Sequence, residues 1–213
     1  MDDKMLDRAA QRAQQYWLTD GIAELVMGGF FVLLGVYFGG QAILPEDSFL
    51  ASMWTPAMLL VIVGGSIGAR AFIRTLKERL TYPRTGYVAY HRPDKKRRWI
   101  TLLFAMGMAM LVSALFASAP AALAWIPGVS GLMFGAFWLF YAHRRGVARF
   151  YALAALSAVA GSAISFSGLD EVRGLPLFYV VMGLAFLVSG SFALRSYLRR
   201  TPLQPDGPDE SAR

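Results

Sequence analysis

Two carboxylates, Asp20 and Glu24, stand four residues apart at the start of a long apolar stretch. On a helix that spacing puts both side chains on one face. Glu24 is the one carboxylate that lies inside an apolar run, and a charge in that setting is costly unless it is paired or functional. A carboxylate pair can perform general acid–base chemistry or hold cations. The plainer chemistry here is an interhelical ion pair at the end of a bundle, aided by the positive end of the helix dipole. The cations available to it are Arg70, Arg74, Arg145 and Arg149, each at the end of another apolar run.

A second constellation is the segment Arg79-Leu-Thr-Tyr-Pro-Arg-Thr-Gly-Tyr-Val-Ala-Tyr90. Tyr82, Tyr87 and Tyr90 have amphipathic rings suited to a membrane interface, and Arg84 carries a fork that grips phosphate. Pro83 and Gly86 favour a defined turn, so the segment is expected to fold back on the helix ends and rest on anionic headgroups. The cluster Lys95-Lys96-Arg97-Arg98 attracts the same headgroups. Met106, Met108 and Met110 offer thioethers, a Cu(I) chemistry. There is no Cys, and His91 and His143 lie far along the chain, so no metal, no cofactor and no catalytic residue is expected.

The elements that must position these residues follow from the charge pattern. Residues 25–45, 49–69, 99–142, 150–169 and 174–194 carry no Asp, Glu, Lys or Arg. A membrane helix needs about 20 apolar residues, so the 44-residue run 99–142, which contains Pro120, reads as two helices. The expected fold is all-α: a bundle of six transmembrane helices over 19–200. A cytoplasmic interfacial segment, 1–18, precedes the bundle, a cytoplasmic loop spans 78–98, and a disordered tail occupies 201–213. The helices are expected near 19–44, 49–69, 99–119, 121–141, 147–167 and 175–198. Of 21 Lys and Arg residues only Arg173 falls in a gap assigned to the outside. Basic residues mark cytoplasmic loops, so both termini are expected in the cytoplasm. The first apolar run is too long for a cleaved signal peptide and is expected to stay in the mature chain.

A weak internal repeat has an offset of 125 residues. Gly65-Ser66-x-x-x-Arg70-x-Phe72-Ile73-Arg74 matches Gly190-Ser191-x-x-x-Arg195-x-Tyr197-Leu198-Arg199, and Tyr16, Gly21, Ile22 and Ala23 match Tyr141, Gly146, Val147 and Ala148. The first hairpin thus resembles the last, and Asp20 and Glu24 fall opposite Arg145 and Arg149. Gly35-x-x-x-Gly39, Gly64-x-x-x-Gly68, Gly131-x-x-x-Gly135 and Ser157-x-x-x-Gly161-x-x-x-Ser165 are small-residue patterns that permit close helix approach.

Tyr16-Trp17-x-x-Asp20-Gly21-x-x-Glu24 and Thr81-Tyr82-Pro83-Arg84-Thr85-Gly86-Tyr87 resemble a family of uncharacterised bacterial polytopic integral membrane proteins. That resemblance implies a bacterial inner-membrane location and carries no assigned activity. Size, span number and inside termini also resemble the substrate-binding subunits of vitamin-uptake transporters.

The net charge of +7 reflects cytoplasmic loops, so nucleic acid is not an expected partner. The apolar runs contain no mid-membrane charge, no protease-like carboxylate pair and no nucleotide-binding motif. The leading expectation is a non-enzymatic membrane module that binds lipid, a protein partner or a second copy of itself at its cytoplasmic rim. The alternative is a small-solute binding or transport subunit, and the third is an enzyme acting on lipid headgroups. The rim residues are Asp20, Glu24, Arg70, Arg74, Tyr82, Arg84, Tyr87, Arg145 and Arg149.

Overall fold

The computed structural model describes residues 20–41, 43, 44, 49–81 and 120–201. These form α1 (Ile22–Gln41), α2 (Phe49–Leu80), a 3-10 segment (Pro120–Trp125), α3 (Ile126–Arg145), α4 (Arg149–Phe166) and α5 (Glu171–Arg200). Among the described residues the fold is entirely helical. Four stretches are long and apolar enough to cross a membrane: Ile22–Gly40, Leu123–Arg145, Arg149–Phe166 and Val172–Arg200. The expected N-terminal segment 1–18, the loop from 82 to 98 with its tyrosines, the span 99–119 with its methionines, and the tail 202–213 lie outside the described residues.

Several element boundaries differ from those read in the sequence, each for a local reason. α2 does not stop where its charges begin near Arg70; it runs for 32 residues, to Leu80. Lys77 and the i,i+4 pair Arg74–Glu78 support its last turns. The chain after Pro120 starts as a tight 3-10 turn and becomes α-helical only at Ile126, with Pro127 in the first turn where its missing N–H is harmless. α3 reaches Arg145, because Gly146 takes the left-handed conformation (φ 65°) and its N–H closes the helix on the Ala142 carbonyl. α5 starts at Glu171, four residues before the expected 175. Asp170 caps it by accepting the Arg173 N–H at 3.0 Å.

Two antiparallel pairs organise the bundle. α1 lies along α5 with glycines at seven-residue spacing: Gly21, Gly28 and Gly35 face Gly190, Gly183 and the Pro176–Val180 turn. A methyl group added at Gly28 would lie 2.8 Å from the Gly183 carbonyl oxygen and 2.8 Å from the Leu187 nitrogen. Seven residues are two helical turns, so one face stays in contact along the whole pair. α3 lies along α4 through small residues four apart, and a methyl at Gly131 would lie 2.5 Å from the Ser157 carbonyl. The Ser157 hydroxyl donates to the Gly131 carbonyl at 3.0 Å, and the Gly128 N–H donates to Ser165 at 2.8 Å.

The small-residue patterns of 131/135 and 157/161/165 thus sit at close contacts, whereas nothing lies within 4 Å of Gly64 or Gly68. α2 meets α1 one step round the helix, through Phe30 on Gly65 and Tyr37 on Trp54. Between the two tight pairs lies an aromatic core of Phe31, Trp138, Phe150, Phe178, Phe186 and Met182. Trp138 and Phe186 have ring centroids 4.9 Å apart.

Candidate functional site

The polar groups of the bundle gather at one end, where α1 begins and α2 and α5 finish. Gly21 adopts φ 69° and turns the chain into α1. A side chain there would strain the backbone and drive a methyl to 2.5 Å from the Gly190 carbonyl. This turn folds Asp20 back on its own helix start, where Oδ1 accepts the Ile22 N–H at 3.2 Å. Asp20 Oδ2 accepts the Lys77 ammonium at 2.5 Å and the Thr81 hydroxyl at 3.1 Å. Asp20 is wholly buried and Lys77 is 2% exposed, so water does not screen the pair. Lys77 lies beyond the charge-free stretch of α2. Burial lowers its pKa from 10.5, and the hydrogen bond and charge of Asp20 oppose that shift.

Glu24 lies one turn deeper. Its Oε1 accepts two guanidinium nitrogens of Arg149, at 2.5 Å and 2.6 Å. Its Oε2 accepts the Ser189 hydroxyl at 2.6 Å. Glu24 is 4% exposed and Arg149 is 29% exposed, so the acid is enclosed while the base reaches the rim. Asp20 precedes α1 rather than sharing a helix face with Glu24, and the two form separate clasps: Asp20 ties the start of α1 to α2, and Glu24 ties α1 to α4 and α5. All four carboxylate oxygens have donors from this chain, an arrangement that fixes helix ends.

Of the four arginines expected to face the carboxylates, Arg149 does so. Arg70 and Arg74 are exposed on α2, with Arg74 bonded to Glu78 at 2.8 Å. Arg145 lies over the Tyr141 ring at 5.3 Å. The cation on Asp20 is a lysine rather than an arginine. An ammonium is a compact point charge and suits a closed pocket already shared with a hydroxyl. Tyr82, Arg84 and Tyr87 lie outside the described residues.

Lys77, Thr81 and Ser189 are site residues that the sequence reading missed. A signal for Ser189 exists: aligning the glycine heptads of α1 and α5 antiparallel sets 21 beside 190 and places Ser189 at the level of Glu24. Lys77 and Thr81 have the i,i+4 spacing of Asp20 and Glu24, yet finding them requires knowing that α2 continues past its first charges.

No group of three His, Cys, Asp or Glu side chains able to hold a metal lies among the described residues. No protein-family model, characterised protein or solved structure matches the chain. The site is therefore read from its own geometry.

Proposed function

We propose that this chain is a six-span integral membrane protein of the bacterial inner membrane, with both termini in the cytoplasm. It acts as a non-enzymatic module that binds anionic lipid at its cytoplasmic rim. The observation carrying this reading is the saturation of Asp20 and Glu24 by partners of their own chain. A general acid or base needs an oxygen free to meet substrate, and these carboxylates are tied down. With Asp20 and Glu24 neutralised inside the chain, the groups facing outward at this end are mostly cationic: Arg70, Arg79, Arg144, Arg195, Arg199 and Arg200 are exposed, and the exposed acid Glu78 is bonded to Arg74. Juxtamembrane arginines attract anionic headgroups by about 1 kcal/mol each. The solute-transport reading gains no support among the described residues, because large aromatic side chains occupy the centre of the bundle.

Two measurements test this. The chain contains no Cys, so each introduced Cys is its only thiol. Cys at position 46 or 173 should react with an impermeant maleimide from outside, and Cys at 79, 144 or 200 only after the membrane is opened. The purified protein should retain phosphatidylglycerol over phosphatidylcholine when extracted from mixed vesicles. Equal retention of the two lipids would defeat the functional reading, and the reverse labelling pattern would defeat the topology.

A further inference from the structure

The two longest described helices, α2 with 32 residues and α5 with 30, end alike at the rim. On α2 the charge-free stretch closes at Ala69 and Arg70 follows at once, with Arg74 one turn later. On α5 it closes at Leu194 and Arg195 follows at once, with Arg199 one turn later. An i,i+4 pair projects to one side of a helix, so each helix presents two guanidinium groups stacked along its axis. All four arginines are exposed. Immediately membrane-ward of each pair the surface is apolar and open: Ile67 is 64% exposed on α2, and Phe192 is 71% exposed on α5. Arg74 gives its Nε to Glu78 at 2.8 Å.

We infer that each Arg-x-x-x-Arg pair, Arg70/Arg74 and Arg195/Arg199, is a clip for the phosphate of one anionic phospholipid, whose acyl chains lie along the apolar surface above it. The inference rests on the reading that the rim binds anionic lipid, and it locates that binding. Guanidinium forks match phosphate oxygens in geometry as well as charge. The first arginine of each pair stands where the apolar stretch ends, the level at which a phosphodiester meets the hydrocarbon boundary. The two helices share little else here. Tyr197 is buried and Phe72 is 56% exposed, so the common feature is the arginine spacing and its level.

The full-length protein is reconstituted in phosphatidylcholine vesicles containing phosphatidylglycerol, extracted gently, and its bound lipids are counted by native mass spectrometry. The variants are R70Q/R74Q, R195Q/R199Q, the four-fold combination, and the control R173Q, an exposed arginine at the opposite end of α5. The wild type should retain one phosphatidylglycerol per clip. Each paired variant should lose one, with apparent affinity at that clip falling on the order of tenfold, and R173Q should match the wild type. Unchanged melting temperatures confirm that the exposed substitutions leave the fold intact. If a glutamine pair does not fold, R70K/R74K and R195K/R199K keep the charge and should still bind less tightly, because the fork is lost. Absence of any phosphatidylglycerol preference in the wild type would overturn the rim reading itself. A preference that survives in the four-fold variant, or that R173Q weakens equally, would overturn the clips alone. Displacement of the lipid by excess inorganic phosphate would reassign the clips to a soluble phosphate ligand.

Discussion

Arg149→Ala should destabilise this protein more than Glu24→Gln, although both break the same bond. The reason is the unequal burial of the partners, 4% exposed for the acid and 29% for the base. Removing Arg149 leaves a charged, enclosed Glu24 with only the Ser189 hydroxyl, and stranding one member of a buried pair costs about 3–5 kcal/mol. Glu24→Gln removes charge-assisted bonds worth about 1.5–3 kcal/mol, but it leaves no buried charge. Arg149 then extends to the headgroups it already partly reaches. For a chain of this length the first change should lower the melting temperature on the order of 10 °C and the second about half as much. The double variant E24Q/R149A contains no stranded charge and should melt close to the single Glu24→Gln. That amounts to a coupling energy of about 3–5 kcal/mol in a double-mutant cycle, the full cost of stranding Glu24. Thermal unfolding in a mild detergent, followed by intrinsic fluorescence of the buried Trp138, measures all three. Equal losses for the two single variants, with the double equal to their sum, would refute the clasp.

Gly28→Ala should cost about 1–3 kcal/mol, because the new methyl meets backbone of α5 at 2.8 Å, while Gly29→Ala, with nothing within 4 Å, should be neutral or slightly stabilising; thermal unfolding of the two compares them directly. Lys77 carries a signed pH effect. Its folded pKa lies below 10.5, so between those values the unfolded chain binds more protons and the lysine contributes stability that grows as pH rises. The melting temperature of Lys77→Met relative to wild type should therefore fall as pH rises toward 10.5, and a constant difference would contradict the burial argument. Trp54→Ala should cost about 1–3 kcal/mol, since it removes a ring stacked on Tyr37 at 4.9 Å and a bond from its indole N–H to the Tyr37 carbonyl at 3.2 Å. Trp54→Phe should recover part of that loss, and urea or thermal titration of both variants checks the order.

What could be read from the sequence divides along physical lines. Helix type and approximate extent follow from charge-free length, because hydrocarbon excludes unpaired charge; that logic finds the apolar helices and the two carboxylates at the start of α1. It fails at helix ends, where propensity, capping and local ion pairs decide. α2 continues through Arg70, Arg74 and Lys77 because charged residues are good helix formers in water, and hydropathy alone sees only where the membrane stops. Searching for small residues four apart finds the α3–α4 contact and, through Gly35 and Gly39 on Pro176, one end of the α1–α5 contact, but not its full length. The latter uses seven-residue spacing, and no single four-residue window contains it. Arg149 could be named for Glu24 because the repeat offset points at it. Lys77 depends on how far α2 extends, which no local pattern of its own reveals.

The repeat gains physical content from two of these features. Gly21 and Gly146 are separated by the repeat offset and both take positive φ, 69° and 65°, at the turns that launch α1 and α4. Glu24 and Arg149 are separated by the same offset and bond to each other. Equivalent positions can touch only near an axis relating their two helices, so these residues mark where such an axis would pass. A residue facing its own equivalent across an axis cannot keep one charge on both sides, since like charges at this distance repel. Acid on one helix and base on the other resolves the conflict. The same inequality makes α1 and α4 different in their other partners. Asp20 recruits Lys77 and draws α2 in, whereas its counterpart Arg145 lies on Tyr141 of its own helix. The two charge positions that form the clasps differ in this way, while the turn glycines preceding α1 and α4 keep one conformation.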